Sequence, residues 1–301
     1  MVRNTKAAYV FPGQGSQAVG MGLSLYRDHP AAKSVFDEVD ATLGFSLSRL
    51  CFEGPEDVLT QTINVQPAIL TVSIACLKAA QETIEALPPP DMVAGHSLGE
   101  YTALAAAGSL SVADAVRLVR ERGRLMNEAG HITSGGMLAV IGMNEEIISA
   151  ICQSAGVEIA NINSPDQIVV SGAQENLAQF RKLAEKEGAR RMIPLKVSGA
   201  FHSRLMKPAV DGLKQAIERC TFAAPSVPVV ANVTAQPLTS ATAIKQELTN
   251  QILNCVQWQR SVENMIANGV TAFFEIGHGA VLTNLIKRIN PNVQVTNIGD
   301  A

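Results

Sequence analysis

Paired cysteines are missing from this chain of 301 residues: Cys51, Cys76, Cys152, Cys220 and Cys255 are scattered, with no Cys-x-x-Cys spacing. That argues against a structural zinc site and points to reduced thiols in a cytoplasmic protein. A charge excess is missing as well. The formal net charge is −3 and charged residues make up 17%, which leaves no electrostatic footprint for nucleic acid. No apolar stretch reads as a membrane span, and the apolar run within MVRNTKAAYVFPGQGSQ at the amino terminus is too short for a signal peptide. Repeats and low-complexity tracts are absent. What remains is a 47% hydrophobic fraction, ordinary for a globular chain that buries a sizeable core. The length allows one large α/β domain, alone or carrying a smaller one, and nothing requires more than a monomer.

Against that plain background one stretch stands out, Val93-Ala94-Gly95-His96-Ser97-Leu98-Gly99-Glu100. It sets a serine inside Gly-x-Ser-x-Gly, between a short apolar run and a long Ala/Leu-rich one. A nucleophile elbow needs that context: a strand, a sharp strained turn carrying the serine, then a helix. The helix start faces developing negative charge with its positive end. A serine hydroxyl is a poor nucleophile by itself, so the motif has meaning only with a base.

The rest of the chain reads as alternating elements. Ala7 to Phe11 is a buried strand stopped by Pro12-Gly13-Gln14-Gly15-Ser16. Helical patterns cover Leu25–Leu43, Pro55–Gln61 and Gln66–Glu85, and Pro88-Pro89-Pro90 leads the chain towards the elbow strand. Ser111 to Glu128 is a helix that Ser111 caps, with Asp114 three residues on. Arg117, Arg120, Glu121 and Arg124 share its polar face, whereas Arg122 projects among Ala115, Leu118, Val119, Leu125 and Met126. An arginine aimed into an apolar arc either reaches water, pairs with a core carboxylate, or grips a substrate carboxylate. Periodicity leaves these open. Further on, Gly136–Gly142, Asn144–Ala155, Val157–Asn161, Gln167–Ser171, Gln174–Glu187 and Arg191–Val197 read strand, helix, strand, strand, helix, strand. This is the ferredoxin-like order. We therefore expect an α/β catalytic domain built from residues 1–132 and 199–301, interrupted by a ferredoxin-like insert at 133–198.

Five histidines compete for the role of base. His29 and His131 sit in polar stretches, and His278 lies in a loop after a strand with no chemical argument attached. His96 is too near Ser97 in the chain to swing easily onto its hydroxyl, which suits a structural hydrogen bond. His202, in Gly199-Ala200-Phe201-His202-Ser203, follows the last strand of the insert where the chain re-enters the main domain, a favoured place for a cleft. His202 is the expected base. The third triad member is absent: no Asp between Ser97 and His202 stands at a strand end, and Asp166 lies in a turn of the insert.

Taken in order, Phe11-Pro12-Gly13-Gln14-Gly15-Ser16-Gln17, Gly95-His96-Ser97-Leu98-Gly99-Glu100, Arg122-Gly123 with Met126, Asn161-x-Asn163-Ser164-Pro165, Gly199-Ala200-Phe201-His202-Ser203 and Val256-Gln257-Trp258 resemble a known family. It is that of malonyl-CoA:acyl-carrier-protein transacylases, including the free-standing acyltransferases of polyketide synthases. The resemblance covers nearly the whole chain and implies an α/β-hydrolase-like large domain. It implies that Ser97 attacks the thioester of malonyl-CoA while His202 takes and returns the proton. It further implies that the backbone carbonyl of Gln257 orients His202, that the N–H groups of Gln14 and Leu98 form the oxyanion hole, and that Arg122 clamps the malonyl carboxylate. Met126 and Phe201 would shape the acyl pocket, a phenylalanine before the histidine going with malonyl. Asn161, Asn163 and Gln167 are weaker contact candidates. No cofactor is implied beyond the CoA thioester as substrate and the phosphopantetheine of an acyl carrier protein as acceptor. A thioester hydrolase that clears carrier proteins is the nearest alternative.

Overall fold

The buried run Ala7–Phe11 forms strand β1 (Lys6–Phe11), and the apolar residues ahead of the serine form β2 (Met92–Gly95). In this computed structural model, which describes residues 6–299, ten strands follow in chain order. The others are β3 (Gly135–Ile141), β4 (Glu158–Ser164), β5 (Gln167–Ala173), β6 (Arg191–Pro194), β7 (Val229–Val230), β8 (Pro237–Leu238), β9 (Val270–Ile276) and β10 (Gln294–Ile298). The outermost domain limits given above, residues 1 and 301, and the start of the amino-terminal stretch lie outside the described residues.

Six strands make one sheet in the order β10-β9-β1-β2-β7-β8, parallel throughout except for the β7–β8 pair. Parallel strands covered by helices on both faces read as continuous apolar runs, and β1 and β2 do so. The remaining four strands form an antiparallel sheet in the order β4-β5-β3-β6. Helices Glu145–Ala155 and Gln174–Lys186 complete it in the β-α-β-β-α-β order expected from sequence. Ile148, Ile151, Phe180 and Ala184 close its own small core. The small sheet is stitched to the connection ahead of helix Trp258–Ala267: Ile162 N–H donates to Val256 O at 2.9 Å and Val256 N–H to Ala160 O at 2.8 Å.

Two expectations need correction. The helix read over Leu25–Leu43 is two, Leu23–Asp28 and Pro30–Leu43, because Pro30 forces His29 into an extended conformation and opens the next helix instead. Helix Thr62–Thr83 is, by length and composition, apolar enough to cross a membrane, contrary to the reading of the sequence. It is a core helix here: 89% of its most apolar window is buried against the rest of the chain. Strand β10 extends the large sheet past β9, and helix Val281–Ile289 precedes it, neither suggested by the sequence pattern.

Candidate active site

Ser97 sits where β2 turns into helix Leu98–Ala106, at φ 51° and ψ −105°. Few L residues adopt such a backbone, which costs about 1–3 kcal/mol and must be held by its surroundings. The glycines on either side allow the approach: a Cβ on Gly95 would strike the Gly99 carbonyl, and one on Gly99 would strike the Phe11 carbonyl. Three hydrogen bonds then pin the turn. The Ser97 N–H donates to Asn232 Oδ1 at 2.7 Å, Asn232 Nδ2 donates to the Gly95 carbonyl at 2.7 Å, and Gln251 Nε2 donates to the Ser97 carbonyl at 2.8 Å.

The sequence brings the base where it was expected. His202 Nε2 lies 2.8 Å from Ser97 Oγ, and the imidazole is buried. Its Nδ1 faces the Gln251 carbonyl at 2.9 Å and the Asn254 carbonyl at 3.2 Å. Two acceptors assign the proton to Nδ1 and leave the Nε2 lone pair for the serine. The expected orienting carbonyl, that of Gln257, is not the one used. Gln257 caps helix Trp258–Ala267, and its carbonyl accepts the Ser261 N–H at 2.8 Å. Gln251, by contrast, ends helix Ala241–Gln251, where carbonyls lack their regular helical partners. The negative end of that helix also favours an imidazolium, the job a triad carboxylate does elsewhere. Burial first, and the Arg122 charge second, draw the His202 pKa down to about 3.

Arg122 is 1% exposed, and the three hydrogen bonds it donates go to neutral acceptors. Nη1 donates to Gln66 Oε1 at 2.7 Å, and Nη2 donates to Gln251 Oε1 at 2.9 Å and to Ser97 Oγ at 3.1 Å. Its carbon lies 5.3 Å from the Tyr101 ring centroid, and its Nε–H has no hydrogen-bond partner. The sequence left a core ion pair open, and the partners found argue against it. A guanidinium has five N–H donors, so capacity remains for an anion beside the serine. Burial lowers its own pKa, and the nearby Tyr101 and Glu100 oppose that. Glu100, fully buried in the elbow helix, accepts from Asn232 N–H at 2.9 Å and from Gln251 Nε2 at 2.5 Å. Burial and the neighbouring Glu247 push the Glu100 carboxyl well above the ordinary carboxylate range.

These groups open onto a cleft of about 500 Å³, its solvent-open mouth included, between the two sheets. Gln14 and Leu98 line it beside Ser97, as do Met126, Phe201 and Asn161. Met126 is fixed by Gln66, whose Nε2 lies 3.4 Å from its sulfur. Two candidates fall outside. Asn163 bonds His96 Nε2 at 2.8 Å, giving that histidine its structural partner. Gln167 pairs with Ile141 and Ser164 within the small sheet and is not part of the cleft lining. Sequence reasoning missed Gln66, Asn232 and Gln251, and also Met137, Leu195 and Val197, which the insert contributes to the cleft wall. A glutamine directly before Pro67, inside the apolar part of helix Thr62–Thr83, was the available signal for Gln66. Among the described residues no group of three His, Cys, Asp or Glu side chains could hold a metal ion.

A hydroxyl with a hydrogen-bonded base, next to an unused cationic donor, can form and break an ester with a carboxylated acyl group. By its chemistry this is an acyl-group enzyme. The acyl transferase domain family matches residues 8–298, and the chain belongs to it. It is 46% identical over 301 residues to the malonyl CoA-acyl carrier protein transacylase of Bacillus subtilis, covering 98% of this chain and 94% of that protein. A Vibrio cholerae acyl carrier protein S-malonyltransferase superposes with a TM-score of 0.94 at 40% identity, covering 99% of this chain and 98% of that one. A malonyl-transacylase solved with its type II PKS acyl-carrier protein superposes equally well, TM-score 0.94 at 39% identity, covering 99% of this chain and 97% of that one.

Proposed function

We propose that this acyltransferase moves the malonyl group of malonyl-CoA onto the phosphopantetheine thiol of an acyl carrier protein through an ester on Ser97. The observation that carries the reading is the buried Arg122 guanidinium 3.1 Å from Ser97 Oγ, bonded only to neutral groups. In the first half-reaction Ser97 Oγ attacks the thioester carbonyl and gives its proton to His202 Nε2. The N–H groups of Gln14 and Leu98 hold the developing oxyanion. The C–S bond breaks, and the CoA sulfur takes the proton back from His202. In the second half the carrier thiol gives its proton to His202, its sulfur attacks the ester, and the proton returns to Ser97. Water competes with the carrier thiol for the ester, and a cleft walled by Met137, Leu195, Val197 and Phe201 disfavours it.

We read the large sheet with its elbow as α/β-hydrolase-like, formed by residues 1–132 and 199–301, and the antiparallel unit at 133–198 as a ferredoxin-like insert. The elbow and the β-α-β-β-α-β order support both. A single chain supplies every group in the mechanism, which suits a monomer, and scattered cysteines with no Cys-x-x-Cys spacing suit the cytoplasm.

Intact-protein mass after brief exposure to malonyl-CoA tests the proposal. A malonyl adduct that moves to added carrier protein is expected. An adduct lost to water at the same rate with or without carrier protein would make the enzyme a hydrolase.

Phe201 is 5% exposed and fills the cleft beside the base. One extra methyl on the acyl group is worth about 1–3 kcal/mol of discrimination in such a pocket. Phe201→Ala therefore lowers the malonyl-to-methylmalonyl ratio of kcat/KM by roughly tenfold or more. An unchanged ratio would remove Phe201 from substrate choice.

The acid side of the pH profile follows from His202. Only the neutral imidazole accepts the serine proton, and its depressed pKa keeps it neutral well below the usual histidine midpoint of about 6.5. The acidic limb of kcat/KM, which reports free enzyme, accordingly falls below that midpoint. A bound malonyl carboxylate offsets the Arg122 charge, so the limb of kcat lies at higher pH than that of kcat/KM. A kcat/KM limb centred at or above about 6.5 would contradict the assignment.

A further inference from the structure

We propose that Glu100 is a positioning residue: it fixes which way the Gln251 side-chain amide faces, and through it the Arg122 guanidinium. The inference rests on the clamp reading of Arg122 given above.

The Gln251 amide has three polar neighbours and a single orientation that satisfies them. Its Oε1 accepts from Arg122 Nη2 at 2.9 Å, while its Nε2 donates to the Ser97 carbonyl at 2.8 Å and to Glu100 Oε2 at 2.5 Å. Turned over, it would set N–H groups against the guanidinium and oxygen against a carbonyl and a carboxylate. All of this happens at a residue with no exposed surface, where an unmatched polar group has no water to turn to. Glu100 is the neighbour best able to enforce the choice. It is itself held, because its other oxygen accepts the main-chain Asn232 N–H at 2.9 Å, and Asn232 is in turn locked onto Ser97 N–H and the Gly95 carbonyl. The Glu100 carboxyl thus ties the elbow, the Asn232 loop and the end of helix Ala241–Gln251 together, each of its oxygens accepting one N–H. The charged groups nearest to it are Arg122 and Glu247.

An amide in place of the carboxyl keeps the shape and puts an NH2, which cannot accept, where one of those oxygens stood. In Glu100→Gln the oxygen goes to the Asn232 N–H, which belongs to the backbone and cannot turn away. The new NH2 then meets Gln251 Nε2, donor against donor. The Gln251 amide is pushed off the Glu100 side while its Nε2 keeps the Ser97 carbonyl, and the Oε1 that holds the plane of Arg122 shifts away from it. No atom of Glu100 touches the acyl group, so the damage is selective: it falls on acyl groups that need the clamp.

The test compares malonyl-CoA with acetyl-CoA as donors, using intact-protein mass for acylation and steady-state assays for KM and kcat. Glu100→Gln is expected to raise the malonyl-CoA KM about tenfold or more while kcat and the acetylation rate stay within about threefold. Gln251→Met keeps the helix and its carbonyl but has no amide; it should raise the malonyl-CoA KM at least as far, and because it also removes the N–H that holds the Ser97 carbonyl it should slow acylation by both donors. The double variant should be no worse than Gln251→Met alone, because the two act in series. Equal losses for both donors in Glu100→Gln, additive losses in the double variant, or a normal malonyl KM in Gln251→Met would each overturn the proposal. Should Glu100→Gln fail to fold, Glu100→Asp is read the same way, its shorter carboxylate falling short of Gln251. Arg122→Ala run alongside separates the two readings. If that variant keeps a normal malonyl KM, the clamp itself is wrong; if it does not and Glu100→Gln does, only the positioning role fails.

Discussion

Alanine at Ser97 removes the malonyl adduct, and alanine at His202 slows acylation by roughly 10⁴-fold or more. Both effects follow from one hydrogen bond, 2.8 Å between Ser97 Oγ and His202 Nε2. Without the imidazole the hydroxyl keeps its proton at neutral pH, and the oxyanion donors and Arg122 can orient the thioester but cannot make the nucleophile. Because the two residues act as a unit, their losses do not add: Ser97→Ala with His202→Ala is no slower than Ser97→Ala alone. Rapid-quench mass spectrometry with malonyl-CoA measures both. Acylation within tenfold of the wild-type rate in His202→Ala would mean that another base serves Ser97.

How much of this was visible in the sequence depends on distance along the chain. The elbow was legible because its strand, turn and helix are contiguous, and the glycines that permit the turn stand within two residues of Ser97. His202 was legible from its place after the last strand of the insert. Arg122 was legible as an anomaly, a charge in an apolar arc of helix Val112–Ile132. What supports them was not. Gln66, Glu100, Asn232 and Gln251 meet through contacts spanning 56 to 154 positions, and a buried amide looks like any other glutamine until its partners are known. Gln257 was chosen from the resemblance, six residues from the carbonyl actually used. Nothing in the local pattern distinguishes a glutamine that ends one helix from a glutamine that caps the next. The split at Pro30 was readable from the proline itself, whereas β10, an edge strand with three of its five residues exposed, has too little apolar alternation to be found.

Arg122→Ala produces the second large loss, and it carries a signature that a general structural defect would lack. Malonyl-CoA surrenders a carboxylate contact made away from water, so its kcat/KM falls by roughly 10²–10⁴-fold. Acetyl-CoA never used that contact and falls far less; the variant no longer leaves a buried charge unpaired over a methyl group, so its preference for malonyl collapses. The base should respond as well. The Arg122 charge is one of the causes holding the His202 pKa down, second only to burial. Its removal lets that pKa rise, and the acidic limb of kcat/KM moves to higher pH, with acetyl-CoA as well as malonyl-CoA as donor. A donor-selective loss joined to a donor-independent shift of the acid limb can come only from a group that binds one substrate and polarises the shared base. A uniform loss with an unmoved limb would show that Arg122 merely holds the fold around Gln66 and Gln251, and the malonyl reading would lose the observation on which it stands.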